Sequence, residues 1–356
     1  MACAKRKEGA LIVGAPEKLS LSQATPLAQA ASIIGTMSYG EFDLIAQFFS
    51  PATSKAVVGV GDDCAVLRPQ PGMDWAVSTD TLIEGRHFLS TVPPRRLGHK
   101  ALAVNLSDLA ACGATPRVFT LALSLPRMDL GWVQALSEGM LELARAWDID
   151  LVGGDTTAGP LSLTLTVMGE VPPGQALLRS GAAPEDLIWV SGQLGMARLA
   201  LETFRGQVHV GGDDFERARR YMELPQPRVG LGLALRGVAS SAIDLSDGLL
   251  GDLAHVLKAS DVGAQLRMAD LPQDPLVAAL PPALRAHCVL GGGDDYELLF
   301  TAAPHQTPQV LRASERSGVP VTAVGRITRA RGLVVLDDQD RPVDVSAYAG
   351  FDHFAA

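Results

Sequence analysis

The chain alternates short apolar runs with longer stretches in which hydrophobic residues recur at three- and four-residue spacing. The short runs predict β-strands, and the longer spacing predicts amphipathic helices. Predicted helices cover 38–49, 95–112, 130–147, 194–204, 228–237 and 248–260. Predicted strands cover 57–60, 75–78, 118–125, 150–152, 161–171, 187–191, 242–245, 296–302, 322–327 and 333–336.

This alternation occurs on both sides of Pro172-Pro173-Gly174, which is the best candidate for a linker. A chain of 356 residues is long enough for two domains with separate cores. We therefore expect an α+β or α/β fold with one domain over 37–172 and a second over 175–356. Residues 1–36 lack a sustained hydrophobic period, so we expect them to form a mobile extension. Met37, which comes directly after them, is an alternative start of translation.

Composition and charge narrow the class of protein. The net charge is −9 with no basic stripe, which argues against a nucleic-acid surface. No apolar run is long enough to cross a membrane. The four cysteines have no metal-ligand spacing, which is typical of reduced thiols in a cytoplasmic protein. An acidic protein that binds an anionic ligand needs cations between the two.

Six stretches end an apolar run with small residues and then acid. They are VVGVGDD, WAVSTDT, ALAVNLSD, LVGGDTT, SAIDLSD and LGGGDDYE. Carboxylates at the ends of predicted strands would repel one another if they met in one cleft, unless cations lay between them. Oxygen ligands from Asp, Ser and Thr suit magnesium, which commonly also takes phosphate oxygens. The motifs therefore indicate an enzyme that handles phosphates through several metal ions.

Each motif taken alone also has a purely structural explanation. Gly-Asp pairs are common in turns, and the Asp244–Gly248 segment could simply cap the helix that it precedes. Asp108 is harder to explain in this way, because it shares a helix face with Ala101, Val104 and Ala111, which are predicted to be core. A charge on a buried face is costly without a partner. A metal ion or a capped helix end would supply that partner.

Several common phosphate-binding and nucleophilic sites are not encoded. The sequence contains no Gly-Lys pair and therefore no P-loop, and it also lacks the protein-kinase set of motifs. No Ser-His-Asp or Cys-His unit stands out. Phosphate handling here would need a different scaffold.

Together, the ordered motifs resemble the thiamine-monophosphate kinase family, within the superfamily of aminoimidazole ribonucleotide synthetase and selenophosphate synthetase. The resemblance covers nearly everything from Met37 to the C-terminus. It is carried by GVGDDCAVL, STDTLIEGRHF, KALAVNLSDLAACGATP, LVGGDTT, LLRSGA, IDLSDGLLGDLAHVLKAS, GGDDYEL and GFDHF.

The resemblance implies ATP-dependent phosphorylation of thiamine monophosphate to thiamine diphosphate, the last step of that cofactor's synthesis. It implies a homodimer whose N-terminal sheets meet, and a C-terminal domain that closes over ATP. The implied Mg²⁺ ligands are Asp63, Ser78, Thr79, Asp80, Asp108, Asp155, Asp244 and Asp247. The implied ATP contacts are Gly154, Asp155, Arg179 and Ser246, and the implied acceptor contacts are His87, Asp294 and Phe351.

The chain departs from the family pattern at two of these positions. Asp294 stands where the family commonly has Glu, so its carboxylate is one methylene closer to the backbone. Phe351 replaces Trp or Tyr, which keeps an aromatic face but removes a hydrogen-bonding group. Neither change removes an expected metal ligand.

The expected mechanism is direct transfer, because a phosphate monoester is already ionised and needs no general base. Two alternatives stay open at this point. One is another enzyme of the superfamily, an ATP-dependent synthetase acting on an amide or a selenium species. The other is a non-catalytic metal- or nucleotide-binding module.

Overall fold

A computed structural model describes residues 40–348 of the chain. The predicted extension over 1–36 and the predicted acceptor contact Phe351 lie outside the described residues. The strands are β1 (Ala56–Val58), β2 (Val66–Leu67), β3 (Asp74–Ile83), β4 (Thr115–Leu125), β5 (Asp150–Ala158), β6 (Ser162–Val171), β7 (Leu187–Ser191), β8 (Ser241–Asp244), β9 (Gly263–Arg267), β10 (Leu298–Ala302), β11 (Val321–Thr328) and β12 (Gly332–Leu336).

Ten α-helices lie within residues 40–348, and some of them are short. They are α1 (Glu41–Phe48), α2 (Pro94–Ala111), α3 (Leu130–Ala146), α4 (Met196–Phe204), α5 (Gly212–Glu223), α6 (Val229–Leu235), α7 (Leu249–Ser260), α8 (Pro275–Ala278), α9 (Pro282–Leu290) and α10 (Thr307–Ser317). The predicted elements are present, most of them with ends within three residues of the prediction, whereas β2, β9, α5, α8, α9 and α10 were not predicted.

Two strands are much longer than predicted. We expected strands to end at Ser78 and Val152, but β3 continues to Ile83 and β5 to Ala158. The polar residues of STDT and GGDTT therefore lie within strands and not in turns after them. These strands are longer because they are hydrogen-bonded to neighbouring strands. β3 pairs with β6 along its whole length, and β5 pairs with β4 as far as Ala158. Hydrogen bonding to a neighbouring strand overrides the weak strand propensity of Gly and Asp.

The first half of the chain forms a four-stranded sheet in the order β3-β6-β4-β5. The first two neighbouring pairs are antiparallel, and the β4–β5 pair is parallel. One face is buried beneath helices, with Leu163, Leu165 and Val167 of β6 pointing into the core. Alternate residues point to the opposite face, where Val77 and Ile83 are exposed.

Helices α2 and α3 lie against each other over the buried face, and two glycines set their separation. A Cβ atom on Gly98 would lie 2.0 Å from the Leu136 carbonyl oxygen, and one on Gly139 would lie 1.9 Å from that of Arg95. Neither distance is possible for a larger residue, so both positions require glycine if the helices keep this spacing. Helix α2 begins at Pro94, directly after Pro93, and Gly113 follows its C-cap with a φ of 61°, which ends the helix as predicted.

The second half forms a six-stranded sheet in the order β12-β9-β11-β7-β10-β8. Every neighbouring pair in it is antiparallel except β12–β9. One core cluster packs α4, α7 and α9 on one face of this sheet. The other face, with Trp189 and Phe300, belongs to a second cluster that continues through α6 and α2 into the first half. This mixed-sheet, helix-covered architecture confirms the predicted fold class.

Candidate active site

Helix α2 carries an unusual set of buried polar residues in its KALAVNLSD segment. Lys100, Asn105 and Ser107 are at most 2% exposed, although the helix is otherwise apolar on its buried side. A buried polar group needs a hydrogen-bond partner, and each of these side chains has one. One partner is the Ala101 carbonyl within the helix. The others belong to the acidic motifs or to the segment that follows β3, and they are Asp80, His87, Asp244 and Asp294.

Asp108 receives a hydrogen bond across the interface between α2 and β3. The hydroxyl of Ser78 donates to Asp108 Oδ2 over 2.5 Å. Burial raises the pKa of Asp108, while this hydrogen bond and the positive charge of nearby Arg179 lower it. Ser78 and Asp108, which were predicted to bind metal, therefore lie close to Arg179, which was predicted to bind ATP.

Asp80 lies on the buried side of β3, as does Ser78. Its backbone N–H donates to Asn105 Oδ1 over 3.2 Å, and the Asn105 amide donates to the Ala101 carbonyl over 2.9 Å. Burial, together with the negative charges of Asp108 and Asp247, raises the pKa of Asp80 to about 6. Burial and like charges both disfavour the ionised form of a carboxylate.

Asp244 ends strand β8 and is almost completely buried. Ser107 donates a hydrogen bond to its Oδ2 atom over 2.8 Å. Burial and the negative charge of Asp108 raise the pKa of Asp244 to about 8, and Ser107 opposes that rise. Asp244 therefore belongs to the same acidic cluster as Asp80, Asp108 and Asp247.

Asp252, in the first turn of α7, was not predicted to belong to the site. Its carboxylate accepts a hydrogen bond from the Asp247 backbone N–H over 3.1 Å. It also accepts hydrogen bonds from the backbone N–H groups of Ser246 and Gly248. Burial and the charge of Asp247 raise its pKa to about 7. Asp252 thus holds the loop that presents Ser246 and Asp247. The one signal in the sequence was an acid at a helix start, which is too common to be informative.

Asp294 lies on the far side of this loop. Its backbone N–H donates to the Ser246 carbonyl over 2.9 Å. Lys100 donates to its Oδ2 over 2.9 Å, and the Tyr296 hydroxyl donates to its Oδ1 over 3.1 Å. Both Asp294 and Tyr296 have a positive φ, at 68° and 49°, which non-glycine residues adopt rarely. Backbone strain of this kind is concentrated at functional sites.

His87 lies in the segment that follows β3. Its Nδ1 atom accepts a hydrogen bond from the Ile83 backbone N–H over 3.0 Å. Its backbone carbonyl accepts one from Lys100 over 3.3 Å. Lys100 therefore contacts both described residues that were predicted to face the acceptor. Neither Lys100 nor Tyr296 was predicted, since a lone lysine or tyrosine carries no sequence signal of its own.

Three of the predicted residues lie elsewhere. Asp155 pairs with Ala122 on the outer face of the sheet, and Asp63 is exposed in the loop between β1 and β2. Gly154 has a φ of 148°, and a Cβ atom there would lie 1.8 Å from the Leu121 carbonyl oxygen. The GVGDD and GGDTT motifs do approach each other, because Val60 lines the same small cavity as residues 153–156.

Thr79, which was also predicted to be a metal ligand, has its side chain on the opposite face of β3 from those of Ser78 and Asp80. Successive side chains of a strand point to opposite faces, so Thr79 lies on the outer face. There its hydroxyl shares a hydrogen bond with that of Thr166 over 2.9 Å.

Oxygen ligands dominate the cluster, and their chemistry fits Mg²⁺. Within residues 40–348, no three His, Cys, Asp or Glu side chains lie close enough together to hold one ion unaided. That spacing is compatible with magnesium, which usually takes only one or two carboxylates and completes its shell with water and phosphate oxygens. Asp80, Asp108, Asp244 and Asp247 are the residues that would hold such ions.

Family models match both halves of the chain. The model of the N-terminal domain of AIR synthase related proteins matches residues 61–171, and that of the C-terminal domain matches residues 183–338. Thiamine-monophosphate kinase of Escherichia coli K12 is 45% identical over 326 residues, which cover 90% of this chain and 99% of the relative. That of Bacillus subtilis 168 is 33% identical over 325 residues, covering 88% of this chain and 99% of the relative.

Solved structures agree with these relatives. The crystal structure of thiamine-monophosphate kinase from Stenotrophomonas maltophilia K279a has a TM-score of 0.75 at 44% identity, covering 79% of this chain and 91% of that one. The structure of AaThiL complexed with AMPPCP and TMP has a TM-score of 0.70 at 26% identity, covering 81% of this chain and 89% of that one. The chain belongs to the thiamine-monophosphate kinase family of AIR synthase related proteins.

Proposed function

We propose that this chain transfers the γ-phosphoryl group of ATP directly to thiamine monophosphate and so forms thiamine diphosphate. Family membership makes it an enzyme of the phosphotransferase class, and a neighbouring structure holds AMPPCP together with TMP. The observation that carries the mechanism is the convergence of Asp80, Asp108, Asp244 and Asp247 from β3, α2, β8 and the loop before α7.

Burial and neighbouring carboxylates raise the pKa values of Asp80 and Asp244, so bound cations would favour the ionised form of this site. Mg²⁺ held by these residues would supply charge neutralisation between the two anionic phosphates. The chain's own residues fix where the acids stand. Ser78 holds Asp108, Ser107 holds Asp244, and Asn105 holds the backbone of Asp80.

No residue is needed to remove a proton from the acceptor. The phosphate of thiamine monophosphate is largely ionised near neutral pH, and its difficulty is repulsion from ATP. Positioning and electrostatic stabilisation therefore account for the catalysis. Direct transfer predicts inversion at a chiral γ-phosphate. Retention would indicate a phosphoenzyme and would contradict the proposal.

The remaining predicted contacts divide between the two substrates. We assign Gly154, Asp155, Arg179 and Ser246 to ATP. Arg179 lies near Asp108, and Ser246 lies beside Asp247 in the loop held by Asp252. His87 and Asp294 are assigned to thiamine monophosphate, and Lys100 joins them.

The outer face of the first sheet supports the proposed homodimer. Within residues 77–83 of β3 and 162–168 of β6, the outward side chains carry no charge, and Glu170, which continues the same alternation, is buried and paired with Arg117. The uncharged residues are Val77, Thr79, Thr81, Ile83, Ser162, Thr164, Thr166 and Met168. An uncharged stretch of this length on a sheet face is suited to an interface. The same face carries Asp155, so a second copy would lie close to that residue.

None of the helices within residues 40–348 is long and apolar enough to cross a membrane. The proposal that the enzyme acts in the cytoplasm, without a membrane or nucleic-acid partner, rests on the acidic composition and the unpaired cysteines.

The decisive experiment incubates the protein with ATP, Mg²⁺ and thiamine monophosphate and identifies the products. We expect thiamine diphosphate and ADP in equal amounts. A parallel ADP-release assay with thiamine monophosphate, thiamine or no acceptor separates the alternatives. ADP release without thiamine diphosphate would indicate a synthetase with another acceptor, and absence of ADP in all three would indicate a non-catalytic module.

A further inference from the structure

Lys100 is a buried cation that joins two segments of the site. Its side chain is only 3% exposed, and its ammonium group donates to Asp294 Oδ2 over 2.9 Å and to the His87 carbonyl over 3.3 Å. A buried ammonium group is stable only when it is paired and hydrogen-bonded. These two acceptors belong to opposite halves of the chain, the segment after β3 and the segment before β10.

We propose that Lys100 is a positioning residue that fixes the Asp294 carboxylate for contact with the acceptor substrate. This inference rests on the proposed function, because it assigns Asp294 to thiamine monophosphate. Lys100 does not itself contact the reacting phosphates. Its nearest described partners are a carboxylate and a carbonyl, and its burial leaves no room for it to serve as an open phosphate ligand.

The geometry around Asp294 shows why such a tie is needed. An aspartate has one methylene fewer than the glutamate that commonly occupies this place in the family. Its two oxygen atoms are held separately, Oδ2 by Lys100 and Oδ1 by the Tyr296 hydroxyl. The backbone is held as well, through the hydrogen bond to Ser246. These contacts leave 34% of the side chain exposed, so it can still meet a ligand.

A carboxylate held from two sides presents its remaining lone pairs in one direction. An aminopyrimidine such as that of thiamine donates hydrogen bonds to a carboxylate, and the strength of that contact depends on orientation. Without Lys100 the carboxylate would rotate towards water and lose its preorganisation. The acidic cluster of Asp80, Asp108, Asp244 and Asp247 keeps its own partners. Loss of Lys100 should therefore weaken acceptor binding much more than it slows transfer.

A double-mutant cycle tests this inference. Steady-state kinetics are measured at saturating ATP and Mg²⁺ for the full-length wild type, Lys100→Met, Asp294→Asn and the double variant. We expect Lys100→Met to raise the KM for thiamine monophosphate about tenfold and to change kcat less than threefold. In the Asp294→Asn background, the same substitution should change that KM less than twofold, because the residue on which Lys100 acts has lost its charge.

Lys55→Met is a matched control. Lys55 is also a largely buried lysine paired with an aspartate, at 2.6 Å from Asp148, but it contacts none of the site residues. Its removal should leave the KM for thiamine monophosphate unchanged, whatever it does to the melting temperature. Melting curves and circular dichroism of every variant separate a loss of fold from a loss of binding. If Lys100→Met does not fold, Lys100→Gln replaces it in the same cycle, since glutamine keeps one donor and loses the charge.

The outcomes distinguish this inference from the proposed function. If the wild type forms thiamine diphosphate, and the effect of Lys100→Met depends on Asp294 as expected, both the proposed function and the positioning role of Lys100 are supported. If the wild type is active but the two substitutions act independently, or if kcat falls and the KM does not change, Lys100 is not a positioning residue for Asp294. If the wild type makes no thiamine diphosphate, both fail together, and the product analysis shows this without any variant.

Discussion

Ser107 and Asp244 join the two halves of the molecule at the centre of the acidic cluster. The serine hydroxyl on α2 donates to Oδ2 of the aspartate that ends β8 over 2.8 Å, and both residues are buried. Because this hydrogen bond favours the ionised carboxylate, it opposes the rise in the pKa of Asp244 that burial and Asp108 cause. A neutral hydroxyl thus helps to keep a proposed metal ligand charged.

Substitution Ser107→Ala should increase the requirement for magnesium. The pKa of Asp244 would rise further, so a smaller fraction would be ionised at neutral pH. We expect the half-saturating Mg²⁺ concentration to rise about tenfold at pH 7, the scale of one hydrogen bond to a charged group. The difference should shrink at pH 9, where Asp244 is ionised in both proteins. Rates measured across a Mg²⁺ titration at the two pH values test this.

Ser137→Ala provides the control for that substitution. Ser137 is a buried serine in α3 whose hydroxyl donates to the Gln134 carbonyl over 2.9 Å, away from the acidic cluster. Its removal should leave the magnesium requirement unchanged. An equal shift in both variants would mean that Ser107 matters only for packing.

Loss of charge at Asp80 or Asp247 should be far more damaging. Asp80→Asn and Asp247→Asn each keep the size of the side chain, and each should lower kcat by about two to four orders of magnitude, the scale of removing a major electrostatic contributor. Asp186→Asn is the matched control. Asp186 is a buried aspartate that accepts hydrogen bonds from Ala183 and Ser240 outside the site. Wild-type rates in both site variants at saturating Mg²⁺ would disprove the assignment.

The sequence predicted the elements that have a clear apolar period of their own, but it missed β2, β9, α5, α8, α9 and α10. Helix α2 and strand β7, for example, have the expected bounds within one residue. The failures at β3 and β5 have a common cause. In both, polar or glycine residues continue a strand whose hydrogen bonds come from a neighbour distant in the chain, and no local pattern records that pairing.

The residues of the site also differ in how far the sequence alone reveals them. The six acidic motifs are visible because each combines several rare residues within a short segment. Lys100, Ser107 and Asp252 could not be found in this way, since each acts on a residue far along the chain or through a single side chain. Asp108 lies between these cases. Its helix phase predicted burial, but its hydrogen bond with Ser78 appears only in the fold.

The raised pKa of Asp244 also predicts how the free energy of unfolding depends on pH. The pKa of Asp244 is about 8 in the folded protein, against 3.8 for an ordinary aspartate. Between these values the folded state binds more protons at this group than the unfolded state does. Stability should therefore fall as pH rises from 4 to 8, and it should level off above pH 8.

Asp244→Asn removes this titration while keeping an acceptor for Ser107. Without added metal, its melting temperature should match that of the wild type near pH 4 and exceed it by about 2 to 4 °C at pH 8. Mg²⁺ should narrow the difference at pH 8, because the ion binds the ionised wild-type cluster more strongly. Differential scanning calorimetry across this range tests the prediction. A variant less stable than the wild type at pH 8 without metal would show that Asp244 is already charged and stabilising.

The outer face of the first sheet gives the last prediction. Val77 of β3 is 60% exposed in a single chain and lies among uncharged residues. Val77→Glu would place a charge at the centre of the proposed interface. We therefore expect light scattering to show a dimer for the wild type and a monomer for the variant. The control is Val334→Glu, at a valine of β12 that is 44% exposed and lies in the other sheet. It should leave the mass unchanged, because an exposed glutamate away from the interface costs little. Asp155 shares the outer face, so the monomer should also bind ATP less tightly. A Val77→Glu dimer of wild-type mass would place the interface elsewhere.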